Sequence, residues 1–585
     1  MQPQPGPRIG RICLALGLVV ATWLGVGGWE VWQAAQARQH LLRATALFQT
    51  LQAQLEQGDY AAGRTTVARL RHETGAAAAA TGDPAWRIGG HAPVIGDDVR
   101  AIRTVTVVLD ELATKVLPPL VSVAAGIEAL TPHNGRVDLT ALAGAASALR
   151  DAEATMRRIR DRVRAIPAGD LAAQITELGG KLDQAVTLIG SALRAAELIP
   201  PMLGADGPRT YLVLFQNPAE IRATGGMPGA YLVITADHGA IRVIDDGVAS
   251  GGLATSDTPV LALDPATIEL YGTAIARYPA NINQTPDFPT VARLAREMYR
   301  RHSGRTVDGV LATDPVALSY LLAATGPIAV PGGPTLRSDT VVRTLLSDVY
   351  AGALSRPQQD AYFRSVARAT FQALTQRPLA IRPMLAQLAR AAGERRLLAW
   401  SARTDEERLL AGTVLEGVLP QDGPGTATVG VFLNDGGGGK MSYFLRPAVE
   451  VGDSGCERAG RALLAMRLTL SSLAPAKGLS QYVQNSAPTL DPYTIRTFVS
   501  VFSPTGGTVV RARLDGAAVP LSAGTDGPAG RRAVGIVTVD LAPGQRRQLE
   551  VTLLARADTV REVRLWTTPT VTPWRRTELG SVDEC

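Results

Sequence analysis

Lysine, histidine, cysteine and aromatic residues are all scarce in this 585-residue chain, and each scarcity closes off some chemistry. Only four lysines (Lys115, Lys181, Lys440 and Lys477) stand among 59 basic residues, so the formal charge of +6 rests on arginine. Spread over the whole chain, and set beside abundant alanine and glycine, that arginine looks like GC-rich coding bias. It makes no focused basic patch, and nucleic acid is not an expected partner. Aromatics are 5% of the residues, too few for a base-stacking platform. The six histidines (His40, His72, His91, His133, His238 and His302) are dispersed, and none stands at ligand spacing from cysteine or glutamate, so no metal centre is expected. No G-x-S-x-G elbow occurs, and Cys456 has no neighbouring histidine, which disfavours hydrolase chemistry of those types. The run GGGGK at 436–440 has Asn434 where a phosphate loop requires glycine, and reads as a hairpin turn.

What is present is enough apolar residue, 46%, to bury real cores. At ~100–200 residues per domain the length predicts three or four units. Residues 12–29 carry no charge, close to the ~20 residues that cross a bilayer. Arg8 and Arg11 precede this stretch and Glu30 follows, which predicts a short cytoplasmic tail (1–11), a transmembrane helix (12–29) and an extracytoplasmic remainder. A cleaved signal peptide ending near Ala35-Gln36-Ala37 is the rival; the anchor is preferred because the apolar stretch exceeds the usual ~7–15-residue signal core. Cys13 lies in that stretch, and in an oxidising compartment the remaining Cys456 and Cys585 are expected to form a disulfide, with free buried thiols as the alternative.

Beyond the span the pattern changes twice. Over 30–200 it is helical. Leu41, Ala44, Phe48, Leu51 and Leu55 form one seam, Leu142, Leu149, Met156, Ile159, Val163 and Ile166 a second, and Leu171, Ile175, Leu178, Leu182, Ala185 and Ile189 a third. This predicts an α-helical bundle or coiled-coil stalk, with the last two seams folded into a hairpin. Strands alternating with helices predict a three-layer α/β domain over 208–425. Short strands with Gly/Pro turns predict a β-sandwich over 428–585. The expected fold class is thus a multidomain α/β protein with an N-terminal transmembrane helix.

The candidate site sits early in the α/β region. Two strand-like runs, 211–215 and 230–236, flank a loop holding Asn217, Glu220, Arg222, Thr224, Gly225 and Gly226. The Arg222 fork suits phosphate or carboxylate, and the glycine pair lets backbone amides approach an anion. Asp287 and Asp314 are candidate ligand carboxylates at helix starts, where capping alone also accounts for them. Asp360, Arg364 and Arg368 share a helical face at i, i+4 and i+8, which a solvated ion-pair face also explains. If Arg364 and Arg368 converge with Arg222, they make an arginine-rich pocket for a pyrophosphate, with a carboxylate for a divalent ion.

The stretches QNPAEIRATGGMPGAYLVI (216–234), PDFPTVARLAREMY (286–299), VDGVLATDPVALSYLLAATGPI (307–328) and LLSDVY (345–350) closely resemble the bacterial domain-of-unknown-function family 4012. So do ERRLLAWS (394–401) and VGVFLND (429–435). That resemblance implies an N-terminal membrane helix and a helical lead-in, and names no activity. A fainter one is to the LytR-CpsA-Psr phosphotransferases, carried by 307–330. It implies transfer of polyprenyl-phosphate-linked glycan, with Arg222, Arg364 and Arg368 on the phosphates and a divalent cation beside them. The Ile-Pro-Arg-Asp motif of those enzymes has no counterpart; Ile244-Asp245-Asp246 stands there instead, and Ala223 and Thr224 follow the early arginine. Two expectations result. One is a single-pass cell-envelope protein that binds a glycan, lipid or protein through its α/β domain without a cofactor; the other is a phosphotransferase of the second type.

Overall fold

The computed structural model describes residues 32–82, 86, 91, 96–126, 130–166, 172–352, 354–377, 379–458, 460–526, 532–556 and 562–578. The chain forms two compact units, Met1–Pro208 with Asp237–Ala240, and Arg209–Ala236 with Ile241–Cys585.

The first unit is helical: α1 (Trp32–Gln57), α2 (Tyr60–Thr81), α3 (Gly96–Glu111), α4 (Leu117–Gly126), α5 (Thr140–Arg164) and α6 (Ala172–Met202). Asp59 caps α2 by accepting from the Ala62 amide at 2.9 Å, just after Gly58 turns the chain at positive φ. Arg150 pairs with Glu197 and Arg164 with Asp183, so α5 and α6 run antiparallel. Phe48, Leu51, Leu70, Leu112, Leu149, Met156, Ile159 and Leu182 belong to one buried cluster. All six helices feed that core, so this unit is a helical bundle.

The second unit contains three mixed sheets. The first has the order β3-β2-β1-β4-β5, from β1 (Arg209–Arg222), β2 (Gly225–Asp237), β3 (Ala240–Val248), β4 (Gly309–Thr313) and β5 (Leu398–Ser401). β1 pairs parallel with β4 and antiparallel with β2. Parallel neighbours need a long crossover, and here it carries α7 (Phe288–Ser303). Asp287 caps α7 on the Thr290 amide (2.8 Å), and Gly304 ends it at left-handed φ. α8 (Pro315–Thr325) follows β4 and is capped by Asp314 on the Ala317 amide at 2.7 Å. Helices α9 (Arg356–Gln376) and α10 (Ile381–Gly393) precede β5.

The remaining strands are β6 (Thr426–Asp435), β7 (Leu445–Arg458), β8 (Arg461–Ser472), β9 (Ile495–Phe502), β10 (Thr508–Leu514), β11 (Ala517–Ala518), β12 (Ser522–Asp526), β13 (Arg532–Leu541), β14 (Arg546–Arg556), β15 (Glu562–Thr567) and β16 (Arg575–Glu578). They make sheets ordered β11-β10-β14-β8-β7-β16 and β12-β13-β9-β6-β15. Each has one parallel pair, β7 with β16 and β6 with β15. Val431, Val449, Leu468, Val499, Val539 and Val551, from both sheets, share a cluster that continues into Ile221 of β1 and Tyr350.

The fold class requires a correction. Residues 12–29 lie outside the described residues, and among those described no helix is long and apolar enough to cross a membrane. The transmembrane element is therefore not supported. The protein is a mixed α/β molecule with a helical unit and three mixed sheets.

Candidate functional site

Strand residues alternate between the two faces of a sheet. On the first sheet, Leu212, Leu214, Tyr231, Val233, Val310 and Ala312 pack with Phe288, Val291, Leu294 and Met298 of α7 in a closed core. Their neighbours Val213, Phe215, Leu232, Ile234 and Leu311 point the other way and line a cavity of about 680 Å³. Its far wall is helical: Leu318 and Leu321 of α8, Phe363, Val366, Phe371 and Leu374 of α9, and Leu388 of α10. One face of the sheet is thus fully packed, while the other is held away from its helices. The cavity meets solvent where the exposed Tyr278, Arg356 and Tyr482 line it.

Its polar groups gather at the carboxyl ends of the parallel pair β1 and β4, where open α/β sheets bind ligands. Gln216, Asn217, Thr313 and Asp314 come from those ends, joined by Tyr350, Lys440 and Tyr482. Asn217 donates its side-chain amide to the Tyr350 hydroxyl at 2.6 Å, and its own oxygen accepts from the Ala219 amide. Burial pushes the Tyr350 hydroxyl well above its ordinary pKa, so it stays protonated. Lys440, 4% exposed, pairs with Glu220 at 2.5 Å and lies 5.4 and 5.8 Å from the Tyr482 and Tyr350 ring centres. Arg356 stacks on Tyr482 at 5.5 Å. Burial alone would raise the Glu220 carboxyl, but Lys440 and Arg222 together outweigh it and hold the group below its usual range. Asp435, buried beside them, is pushed up to about 6 by burial, although Arg222 opposes the shift.

Against this geometry the comparisons with known proteins decide one point. Residues 206–350 match DUF4012, a family described as a protein of unknown function. No curated protein and no solved structure matches the chain. The DUF4012 segment supplies β1 to β4, α7, α8 and Tyr350, hence most of the packed face and much of the cavity, while Leu398 and Trp400 of β5 complete that face from outside it.

Within the DUF4012 segment, the expected loop between two strands is instead the end of a β-hairpin. Pairing runs on to Ile221–Gly226 and Arg222–Gly225, with irregularities after Phe215 and Asn217. The cause is a buried polar network. The Gln216 side-chain oxygen accepts from the Thr224 hydroxyl (3.0 Å), the Gly226 amide (3.2 Å) and the Asn283 side chain (3.2 Å). A β-carbon on Gly226 would lie 2.1 Å from the Asn217 carbonyl carbon, so that position needs glycine. Gly225 sits beside it at positive φ.

Arg222 is 5% exposed and its donors are taken up internally, by Glu220 (2.9 Å), the Ile221 carbonyl (2.9 Å) and the Ala280 carbonyl (3.1 Å). Arg368 pairs with Asp246 at the end of β3, and Arg364 is exposed on α9. Among the described residues no contact joins either of them to Arg222. Asp287 caps α7, and Asp314, though it lines the cavity, is committed to Arg396 at 2.6 Å. Among the described residues no three His, Cys, Asp or Glu side chains group to hold a metal. Cys456 lies on β7, while Cys585 is outside the described residues, as the expected disulfide therefore is. Of the expected residues, Asn217, Asp314 and Asp360 line the cavity, and Glu220 reaches it through Lys440. No local motif singles out Lys440, Tyr350, Arg356 or Tyr482 as site residues. The one signal for Lys440 is its rarity, one of four lysines, placed at the end of a glycine run.

Proposed function

We propose that the α/β part of the second unit binds a ligand with a long apolar chain, of the kind a cell envelope supplies as lipid. The observation that carries this is the cavity. At ~24 cal/mol per Å³, a sealed void of about 680 Å³ would cost on the order of 16 kcal/mol. That exceeds the ~5–15 kcal/mol that keeps a domain folded. Opening to water lowers the cost but wets Val213, Phe215 and Ile234 instead, which is also unfavourable. A bound chain removes both penalties. Apolar walls with a few converging polar groups are the usual composition of a ligand site, and here Asn217, Tyr350, Lys440 and Tyr482 are those groups.

Of the glycan, lipid and protein ligands expected from sequence, the lipid fits these walls. The phosphotransferase alternative draws no support from the geometry, because Arg222 is spent on internal partners and, among the described residues, no contact joins it to Arg364 or Arg368. The test is organic extraction of the purified full-length chain, with mass spectrometry of the extract and titration of the delipidated protein with a fluorescent fatty acid. The expected result is a stoichiometric lipid, and probe binding at least tenfold weaker in Val213→Trp. An empty extract together with no saturable probe binding would overturn the proposal.

A further inference from the structure

Helix α10 ends in a turn that closes with the Arg395 amide donating to the Ala392 carbonyl and the Arg396 amide to the Ala391 carbonyl, both at 2.8 Å. Arg395 occupies the left-handed position of this turn, at φ 59°. Glycine is the default residue there, because a β-carbon is strained in that conformation. The arginine side chain is buried, at 9% exposure. Its guanidinium lies 4.4 Å from the Trp566 ring centre and donates to the Thr567 carbonyl. It also reaches the Thr567 hydroxyl at 3.3 Å. Arg576 of β16 donates to that same hydroxyl at 3.0 Å. A hydroxyl that accepts from two guanidinium groups keeps its own proton to donate.

Carboxylates near this pair are committed elsewhere. Asp314 binds Arg396, and Glu394 is shared by Arg396 and Arg390. Among the described residues no carboxylate pairs with Arg395 or Arg576. Burial, with Arg576 and Arg396 adding to it, lowers the Arg395 pKa to about 9, as expected where negative charge is short. A buried cation without an anion is costly, and stacking on Trp566 offsets only part of that.

We propose that Arg395, Arg576 and the Thr567 hydroxyl form a binding site for a phosphate group, either free phosphate or one carried on a larger molecule. Two guanidinium forks supply donors and charge in the pattern that phosphate oxygens accept, and the hydroxyl adds a third donor. None of the three residues lines the apolar cavity, so this site stands independently of the lipid proposal.

Calorimetric titration of the full-length chain with inorganic phosphate and with glycerol phosphate, at ionic strength fixed with sodium chloride, tests it. Saturable binding is expected for at least one of them. Arg576→Gln, an exposed substitution, should weaken it at least tenfold. Arg395→Gly, which suits the left-handed backbone, should abolish it while the protein still unfolds cooperatively. Glycerol phosphate binding tenfold tighter than phosphate identifies a carried group, and equal binding identifies free phosphate. Binding no different from chloride, or unchanged in Arg576→Gln, overturns the proposal.

Discussion

Asp435 makes the sharpest demand on a single side chain. One of its oxygens accepts from the Gly438 amide at 2.7 Å; the other is buried without a partner. With a folded pKa raised to about 6 from 3.8, the native state keeps a proton that the unfolded chain has released between those values. The folded state therefore binds more protons in that window, and stability falls as pH rises from about 4 to about 6, then levels. A displacement of that size corresponds to roughly 3 kcal/mol. Asp526, also raised to about 6, adds a decline of the same sign. Glu220 is lowered, so its contribution is lost only at the acid end, as pH falls below its ordinary 4.5. Asp435→Asn keeps the acceptor for Gly438 and cannot titrate. Urea unfolding from pH 4 to 7 should show the variant losing markedly less stability than the wild type; parallel curves would refute the assignment. None of this is readable from sequence. Asp435 looks like the start of a glycine-rich turn, and its neighbours Glu220 and Arg222 come from a strand more than two hundred residues earlier. Lys440 is hidden for the same reason, since its partner Glu220 is 220 positions away. Charge pairing over such distances leaves no local pattern.

At the scale of elements the sequence is readable where periodicity follows burial. Leu41 to Leu55 and Leu149 to Val163 recur at helical spacing, and those residues are the bundle core. Asp287 and Asp314 can be read as caps because the signal for a helix start is local. The β1–β2 hairpin is longer than its sequence suggests, for a physical reason. Gln216, Asn217, Glu220, Arg222 and Thr224 look solvated by type, yet they satisfy one another and the backbone inside the unit. Polarity marks a loop only when water is the partner. The hairpin's dependence on close backbone approach gives a direct test. Gly226→Ala would place its β-carbon 2.3 Å from the Asn217 carbonyl oxygen, which cannot move without unpairing the strands. Gly229→Ala meets the Phe215 carbonyl oxygen only at 3.4 Å. We expect the first to cost more than about 3 kcal/mol and the second less than about 1 kcal/mol. Denaturant midpoints at unchanged slope measure the difference, and equal midpoints would show that the hairpin relaxes.

For the molecule as a whole, the cavity ties fold to function through stability. The sheet uses one face to build a closed core around α7 and leaves the other incompletely filled. That division cannot be read from strand patterns, because Val213, Ile234 and Leu311 are as apolar as residues that are packed. A ligand that binds only the native state stabilises it by about 2.7 kcal/mol at a hundredfold excess over Kd. Filling the same space covalently should substitute for part of that effect. In delipidated protein, Val213→Trp and Leu318→Trp are each expected to melt at or above the wild-type temperature, since both side chains enter existing volume. Added fatty acid should then raise the melting temperature of the wild type by several degrees and that of the two variants by much less. The two responses are opposite in sign for an ordinary core, where a tryptophan at either position would overpack and destabilise by ~1–3 kcal/mol. Lower melting temperatures in both delipidated variants would mean that the space closes in solution. The second face of the sheet would then be a conventional core rather than a binding surface.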